Sequence, residues 1–201
     1  MTRVVDYYFS PVSPWSYLGH ARLRAIAVRH GARIQPKPVD YGRIFPLSGG
    51  LPLKQRAAQR QAYRLVELAR WRDHLGVPIR LEPKFFPVPA DLASKVIIAA
   101  ATAGARRQLD LAGAIMQACW EQDRDISDSA TLASVVKETG LDGDVLLAEA
   151  AGSAAQAEYD RLTQEAIDRQ VFGAPTYVLD GELFWGQDRL DFLDRALARS
   201  A

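Results

Sequence analysis

Residues Arg3 to Phe9 are rich in β-branched and aromatic side chains, as a buried strand requires, and the pattern stops abruptly at Ser10-Pro11-Val12-Ser13-Pro14. A helix is expected at once. Ser13 is a favourable N-cap, and Pro14 at the first helical position gives up only an N–H that would lack a partner anyway. Leu18, Leu23, Ile26 and Ala27 fall on roughly one helical face, and Gly31 marks the end of the helix. Ala32 to Asp40 reads as a second strand, interrupted by prolines and ending near Val39. Strand, helix and strand in direct succession predict a parallel pair joined by a right-handed crossover, the start of an α/β fold.

The middle of the chain has a different character. Tyr41 to Leu53 reads as a loop rich in Gly and Pro. A long helix is expected from about Leu53 to Leu75, closed by Gly76-Val77-Pro78, and Glu82 to Pro89 is extended and proline-rich. From Asp91 to about Gln170 the pattern is almost continuously helical. It breaks at Gly104, at Asp125 to Asp128, at Gly140 to Gly143 and at Gly152-Ser153, which read as caps and turns rather than linkers. Asp128 or Ser127, and Ser153, are the expected N-caps. Strand character returns in Thr176 to Leu179 and Glu182 to Trp185, with Asp180-Gly181 between them as a hairpin turn. A last helix is expected from Asp188, capped by Gln187 or Asp188, to about Arg199. The predicted order is β-α-β, a helical block, then β-β-α.

Several function classes are disfavoured by composition. The 201 residues carry 25 Lys and Arg against 24 Asp and Glu, a formal net charge of +1, so no nucleic-acid or membrane surface is expected as a main partner. The single cysteine excludes an internal disulfide framework, and Cys119 reads as a core residue of an apolar helix. No apolar run approaches the roughly 18 residues of a membrane span, and the start has no signal-peptide pattern, so a cytoplasmic location is expected. His20, His30 and His74 have no metal-ligand spacing. Glu121, Asp123, Asp125 and Asp128 lack the glycine and terminal glutamate of an EF-hand, so no metal is expected. Phosphate-loop and dinucleotide-binding glycine motifs are absent.

Three places carry chemistry. Ser13 stands where the first backbone N–H groups of a helix lack partners and the helix dipole is positive, an environment that stabilises an anion and lowers a thiol pKa. A serine cannot be a redox group, but its hydroxyl can donate a hydrogen bond to a thiolate held by another molecule. Alone, it is simply an N-cap. Phe172-Gly173-Ala174-Pro175-Thr176 puts a proline directly before a strand, where either a cis or an ordinary trans bond fits. Trp185-Gly186-Gln187-Asp188-Arg189 joins the last strand to the last helix, where free N–H groups can hold a carboxylate.

Taken together, these motifs point to a family. Tyr7-Tyr8-Phe9-Ser10-Pro11-Val12-Ser13-Pro14-Trp15-Ser16-Tyr17-Leu18 resembles the opening of DsbA-like proteins, with both cysteines of their Cys-Pro-x-Cys motif replaced by serine. That Ser-Pro-x-Ser-Tyr form resembles the 2-hydroxychromene-2-carboxylate isomerases and the related kappa-class glutathione transferases. Val171 to Thr176 is similar to their cis-proline segment, Phe184 to Leu190 to their C-terminal glutathione-binding segment, and Arg70-Trp71 also fits. The resemblance implies a thioredoxin-like fold (1–52 and 171–201) with a large all-helical insertion (53–170), a homodimer, and glutathione as cofactor. It implies that Ser13 is the catalytic residue, holding the glutathione sulfur as its thiolate. Ala174, beside cis-Pro175, would pair with the cysteinyl backbone, and Trp185, Gly186, Gln187 and Asp188 would hold the γ-glutamyl end.

The implied reaction is reversible addition of the thiolate to a conjugated carbon, bond rotation, and elimination. It would interconvert 2-hydroxychromene-2-carboxylate and trans-o-hydroxybenzylidenepyruvate, or a related aromatic-degradation intermediate. The alternatives are a kappa-like transferase acting on another electrophile and a non-catalytic glutathione-binding protein. A disulfide oxidoreductase is disfavoured, because Ser13 and Ser16 cannot cycle. The chain departs from the isomerases where the aromatic acid substrate would sit. Phe45 stands near a family lysine position, Ser48 to Pro52 lacks the expected asparagine, and Phe85-Phe86-Pro87-Val88 is apolar. Arg43, Lys54 and Phe85 are the candidate substrate contacts. Arg56, Arg60 and Arg64, at i, i+4 and i+8, are also candidates for carboxylates, though such a stripe is more ordinarily a solvated helix face.

Overall fold

Strands β1 (Val4–Phe9), β2 (Arg33–Pro38), β3 (Thr176–Leu179) and β4 (Glu182–Trp185) form one mixed sheet in the order β2-β1-β3-β4. The structure, a computed structural model, describes residues 2–199. β1 and β2 pair in parallel with Val5 opposite Ile34, joined by helix α1 (Pro14–Arg29). β3 runs antiparallel to β1 with Tyr7 opposite Tyr177, and β4 runs antiparallel to β3 with Thr176 opposite Trp185. The two ends of the chain therefore build the sheet together.

Alternation along the strands explains why this register holds. Val5, Tyr7 and Phe9 of β1, Tyr177 and Leu179 of β3, and Phe184 of β4 face one core; Tyr8, Val178 and Leu183 face another. Both faces of β1 are covered, which is why its sequence is nearly continuously apolar. Slipping the register by one residue would exchange the two sets. The two sets differ in size and shape, so neither core would take the other without overpacking or cavities.

The central segment contributes α2 (Tyr41–Ser48), α3 (Ala58–Leu75), α4 (Asp91–Ala99), α5 (Ala105–Trp120), α6 (Ser129–Glu138), α7 (Gly143–Ala150) and α8 (Ser153–Asp168); α9 (Leu190–Ala198) closes the described chain. The first core lies against α1, α4, α5 and α9, and the second against α2 and α8. This is the thioredoxin-like α/β arrangement with helices inserted between the two halves of the sheet.

Three expectations from sequence need correction. Tyr41 to Leu53 is not all loop, since α2 forms there. Asp40 caps it by accepting the Gly42 N–H at 2.7 Å, and Gly49 ends it in the left-handed region at φ 72°. Gly42 lies in the first turn and Gly49 after the last, so neither interrupts the helix that Pro46 also tolerates. The long helix begins at Ala58 rather than Leu53, because a short 3₁₀ turn (Leu53–Gln55) comes first and leaves Arg56 outside it. The last helix begins at Leu190 after a 3₁₀ turn (Gln187–Arg189), and no side chain caps either. The helical breaks fall where the turn residues put them. Asp128 caps α6 by accepting from Thr131 at 2.8 Å, while Gly152 occupies the cap position of α8 and Ser153 the first turn.

Candidate functional site

Ser13 lies at the N-cap of α1 in extended backbone geometry, φ −86° and ψ 121°. Its Oγ accepts the Ser16 N–H at 3.2 Å and its carbonyl accepts the Tyr17 N–H at 3.1 Å. Pro14 has no N–H, so the Trp15 N–H is the remaining open donor of the first turn, with no acceptor among the described residues. The Ser13 hydroxyl proton is likewise uncommitted there. An outward donor pair at the positive end of a sixteen-residue helix is suited to an anionic ligand atom. Ser16 is different. It is 0% exposed, so its hydroxyl faces the interior and not a ligand.

The Ala174–Pro175 bond is cis. The preceding Gly173 carbonyl accepts two hydrogen bonds, from the Tyr41 hydroxyl at 2.9 Å and from Thr176 Oγ1 at 2.7 Å. Pro175 in turn accepts the Gly186 N–H at 2.8 Å. Neither the N–H nor the carbonyl of Ala174 has a partner among the described residues. The loop is thus pinned on both sides of a residue whose backbone donor and acceptor are both open, the condition for pairing with an extended ligand backbone.

Trp185 closes over this loop. A Cβ on Gly173 would lie 2.2 Å from Trp185 Nε1, so only glycine admits the indole here. The ring also packs on Phe172 with centroids 4.7 Å apart, and both aromatic side chains remain largely exposed. Gly186 has φ 100°, and a Cβ there would meet Asp188 Oδ1 at 2.4 Å. The backbone conformation calls for glycine here, and any side chain would also have to displace the Asp188 carboxylate.

Gln187 is placed otherwise than its sequence position suggests. It is buried, and its side-chain oxygen and its carbonyl both accept from Arg22 Nη1, at 2.9 and 3.2 Å. It packs on Gly19 of α1 and ties the last turn to that helix. Asp188 stays partly exposed and pairs with Arg189 at 2.6 Å.

Each candidate substrate residue has its own local setting. Arg43 pairs with Asp160 of α8 at 2.9 Å, and Lys54 is exposed on its 3₁₀ turn. Phe85 lies beneath the Lys84 ammonium at 4.9 Å, next to a second cis bond at Phe86–Pro87. The arginine stripe is not uniformly solvated. Arg56 Nε donates to the Leu51 carbonyl at 2.8 Å, Arg60 is exposed, and Arg64 turns inward over two aromatic rings. Burial, and then the like charge of Arg56, lower the Arg64 pKa to about 10, so it is still a cation at neutral pH.

Sequence reasoning missed Tyr41, whose hydroxyl reaches Gly173 across 132 positions of chain, and Arg22, which holds Gln187. Neither has a local motif. Among the described residues no cluster of three metal-ligating side chains forms, and no helix is long and apolar enough to cross a membrane.

The family model of the DSBA-like thioredoxin domain matches residues 4–198. A 2-hydroxychromene-2-carboxylate isomerase of Sphingobium xenophagum is 32% identical over 202 residues, spanning 98% of this chain and 99% of that protein. The chain belongs to this isomerase family, within the DsbA-like group. A solved structure of a 2-hydroxychromene-2-carboxylate isomerase matches with a TM-score of 0.81 and 28% identity, covering 98% of this chain and 95% of that one. Glutathione S-transferase kappa 1 of Rattus norvegicus is 22% identical, over 95% of this chain and 89% of its own length. Family membership extends to the helical segment as well as the sheet, because the match to the isomerases is end to end.

Proposed function

We propose that this protein is a glutathione-dependent isomerase that interconverts 2-hydroxychromene-2-carboxylate and trans-o-hydroxybenzylidenepyruvate, or a closely related conjugated aromatic acid. The observation that carries the reading is Ser13. It caps α1 with an unused hydroxyl proton, in a family whose named members include 2-hydroxychromene-2-carboxylate isomerases.

Glutathione would bring the nucleophile. The open backbone donor and acceptor of Ala174 would pair with its cysteinyl backbone, and Asp188, beside Trp185 and Gly186, would face its ammonium group. Gln187 would act through position rather than through its side-chain oxygen, which Arg22 holds. Ser13 and the open end of α1 would favour the thiolate. The 2-hydroxychromene is a cyclic hemiketal, so its ring C–O bond would first open, the hydroxyl proton passing to the phenol oxygen, to give the conjugated keto acid. Addition of the thiolate to the conjugated carbon then turns its double bond into a single one. Rotation about it and expulsion of glutathione complete the isomerisation, and the thiol is regenerated. The kinship with a kappa-class transferase supports glutathione as the thiol carrier.

The test is turnover of purified 2-hydroxychromene-2-carboxylate with and without glutathione. The reading predicts isomerisation only with glutathione and its loss in Ser13→Ala. Equal rates without the thiol, or full activity in that variant, would overturn it.

A further inference from the structure

Among the described residues, Arg64 is a cation without a counter-ion. Its guanidinium carbon stands 5.1 Å from the centre of the Phe86 ring and 5.8 Å from that of Trp120, and the two rings are 4.8 Å apart. Its Nη2 is buried and, among the described residues, has no hydrogen-bond partner. The Trp120 indole N–H, in a side chain 0% exposed, is also buried and unpartnered. Both groups are donors only, so another donor cannot satisfy them and an acceptor can.

The surroundings sharpen this. Arg22, Arg24, Arg43 and Arg161 each meet an Asp or Glu within ion-pair distance, and no described carboxylate meets Arg64. The neighbouring charge is instead that of Arg56, of the same sign. A partly buried cation beside another cation is an arrangement that an oxyanion relieves. The partly buried Phe86 ring beside it offers a flat apolar surface to the body of such a ligand. Arg64 lies on α3, which packs against α1, the helix that carries Ser13. Trp15, two residues after Ser13, packs on the same core as Phe86.

We propose that Arg64 is the specificity-determining residue for the acid group, binding the carboxylate of a conjugated or aromatic acid whose apolar body lies against Phe86. Its place in the reaction rests on the isomerase reading above, but carboxylate binding is measurable without turnover.

The experiment is calorimetric titration of the full chain with 2-naphthoate, with 2-naphthol as the same ring lacking the acid, with inorganic phosphate and with glutathione. The proteins are wild type, Arg64→Met and Arg64→Lys. Wild type should bind 2-naphthoate at least tenfold more tightly than 2-naphthol or phosphate. Arg64→Met should lose at least tenfold for 2-naphthoate alone, and Arg64→Lys should recover part of it. Equal naphthoate affinity in wild type and Arg64→Met, or no binding by wild type, would overturn the assignment. So would phosphate binding as tight as naphthoate, or a loss confined to glutathione. Circular dichroism and the Tm of Arg64→Met separate loss of binding from loss of fold; should it unfold, Arg64→Lys against wild type makes the same comparison. Naphthoate binding through Arg64 without isomerase turnover would retain this inference and refute the isomerase reading.

Discussion

Replacing Ser13 with alanine separates two roles of one hydroxyl. In the free protein the Oγ accepts the Ser16 N–H at 3.2 Å, so Ser13→Ala loses an N-cap bond with a cost of about 1 kcal/mol. On the glutathione reading proposed above, the variant also loses a hydrogen bond to an ionised sulfur, about 1.5–3 kcal/mol. At 1.36 kcal/mol per pKa unit, the thiol pKa of bound glutathione should rise by roughly one to two units. The sign is fixed. Removing a donor to the thiolate favours the protonated thiol, so the thiolate present at neutral pH falls by up to roughly ten- to hundredfold. The assay is a pH titration of the thiolate ultraviolet absorbance with glutathione saturating wild type and Ser13→Ala, alongside urea unfolding of the free proteins. Ser13→Gly serves as a control, because glycine at an N-cap costs only a few tenths of a kcal/mol and still removes the hydroxyl. Stability should therefore separate the two variants while the thiol pKa rises in both. An unmoved thiol titration in either variant refutes the role of Ser13 as thiol activator.

Gly173→Ala should displace the Trp185 ring, because its Cβ would lie 2.2 Å from the indole nitrogen; the expected readouts are a changed Trp fluorescence spectrum and weaker glutathione binding by calorimetry. Gly19→Ala overpacks the contact between α1 and the last turn, with a Cβ 2.9 Å from Gln187 Cβ and 2.7 Å from the Tyr177 hydroxyl, and should cost about 1–3 kcal/mol in urea unfolding. His20 donates Nε2–H to the Leu109 carbonyl at 3.0 Å, and burial, aided by the Arg24 charge, lowers its pKa from 6.5 to about 4. The fold holds it neutral, so stability should fall as pH drops from about 6.5 to about 4, and a His20→Gln chain should show a flatter pH profile of urea midpoints over that window.

The parts of this fold legible in the sequence are those whose signal is local. The β1–Ser13–α1 start is written in consecutive residues: an apolar run buried on both faces, a serine cap, and a proline where its missing N–H costs nothing. The hairpin from Thr176 to Trp185 is equally local, with Gly181 at φ 89° and Asp180 at φ 50° in its turn. α2 was not legible, because Gly42, Pro46 and Gly49 are all read as breakers by composition. Their positions, at the first turn, inside, and after the end, are what make them compatible with a helix. The arginine stripe failed for a related reason. Periodicity groups Arg56, Arg60 and Arg64 on one face, but the chain is not helical at Arg56, and it is the packing of Phe86 and Trp120 that draws Arg64 inward.

The two serines of Ser13-Pro14-Trp15-Ser16 look equivalent in sequence and are not equivalent in space. Ser13 precedes the helix, where the extended backbone turns its side chain toward the open N–H groups of the first turn. Ser16 lies within the helix and is fully buried; its Oγ has no partner among the described residues, and its carbonyl faces the Tyr7 hydroxyl at 3.5 Å. In a pair of cysteines this asymmetry would separate an outer, reactive thiol from an inner one. With serines in both places only the outer position can address a ligand, and no bond between the two can form. The site therefore retains the polarising end of α1 and the open backbone donor and acceptor beside Pro175 while carrying no sulfur of its own. Any thiol chemistry here must be brought by the ligand, and the only described cysteine, Cys119, is buried in α5 with its thiol pushed up to about 12 by that burial and by the nearby Asp125 and Asp123 charges.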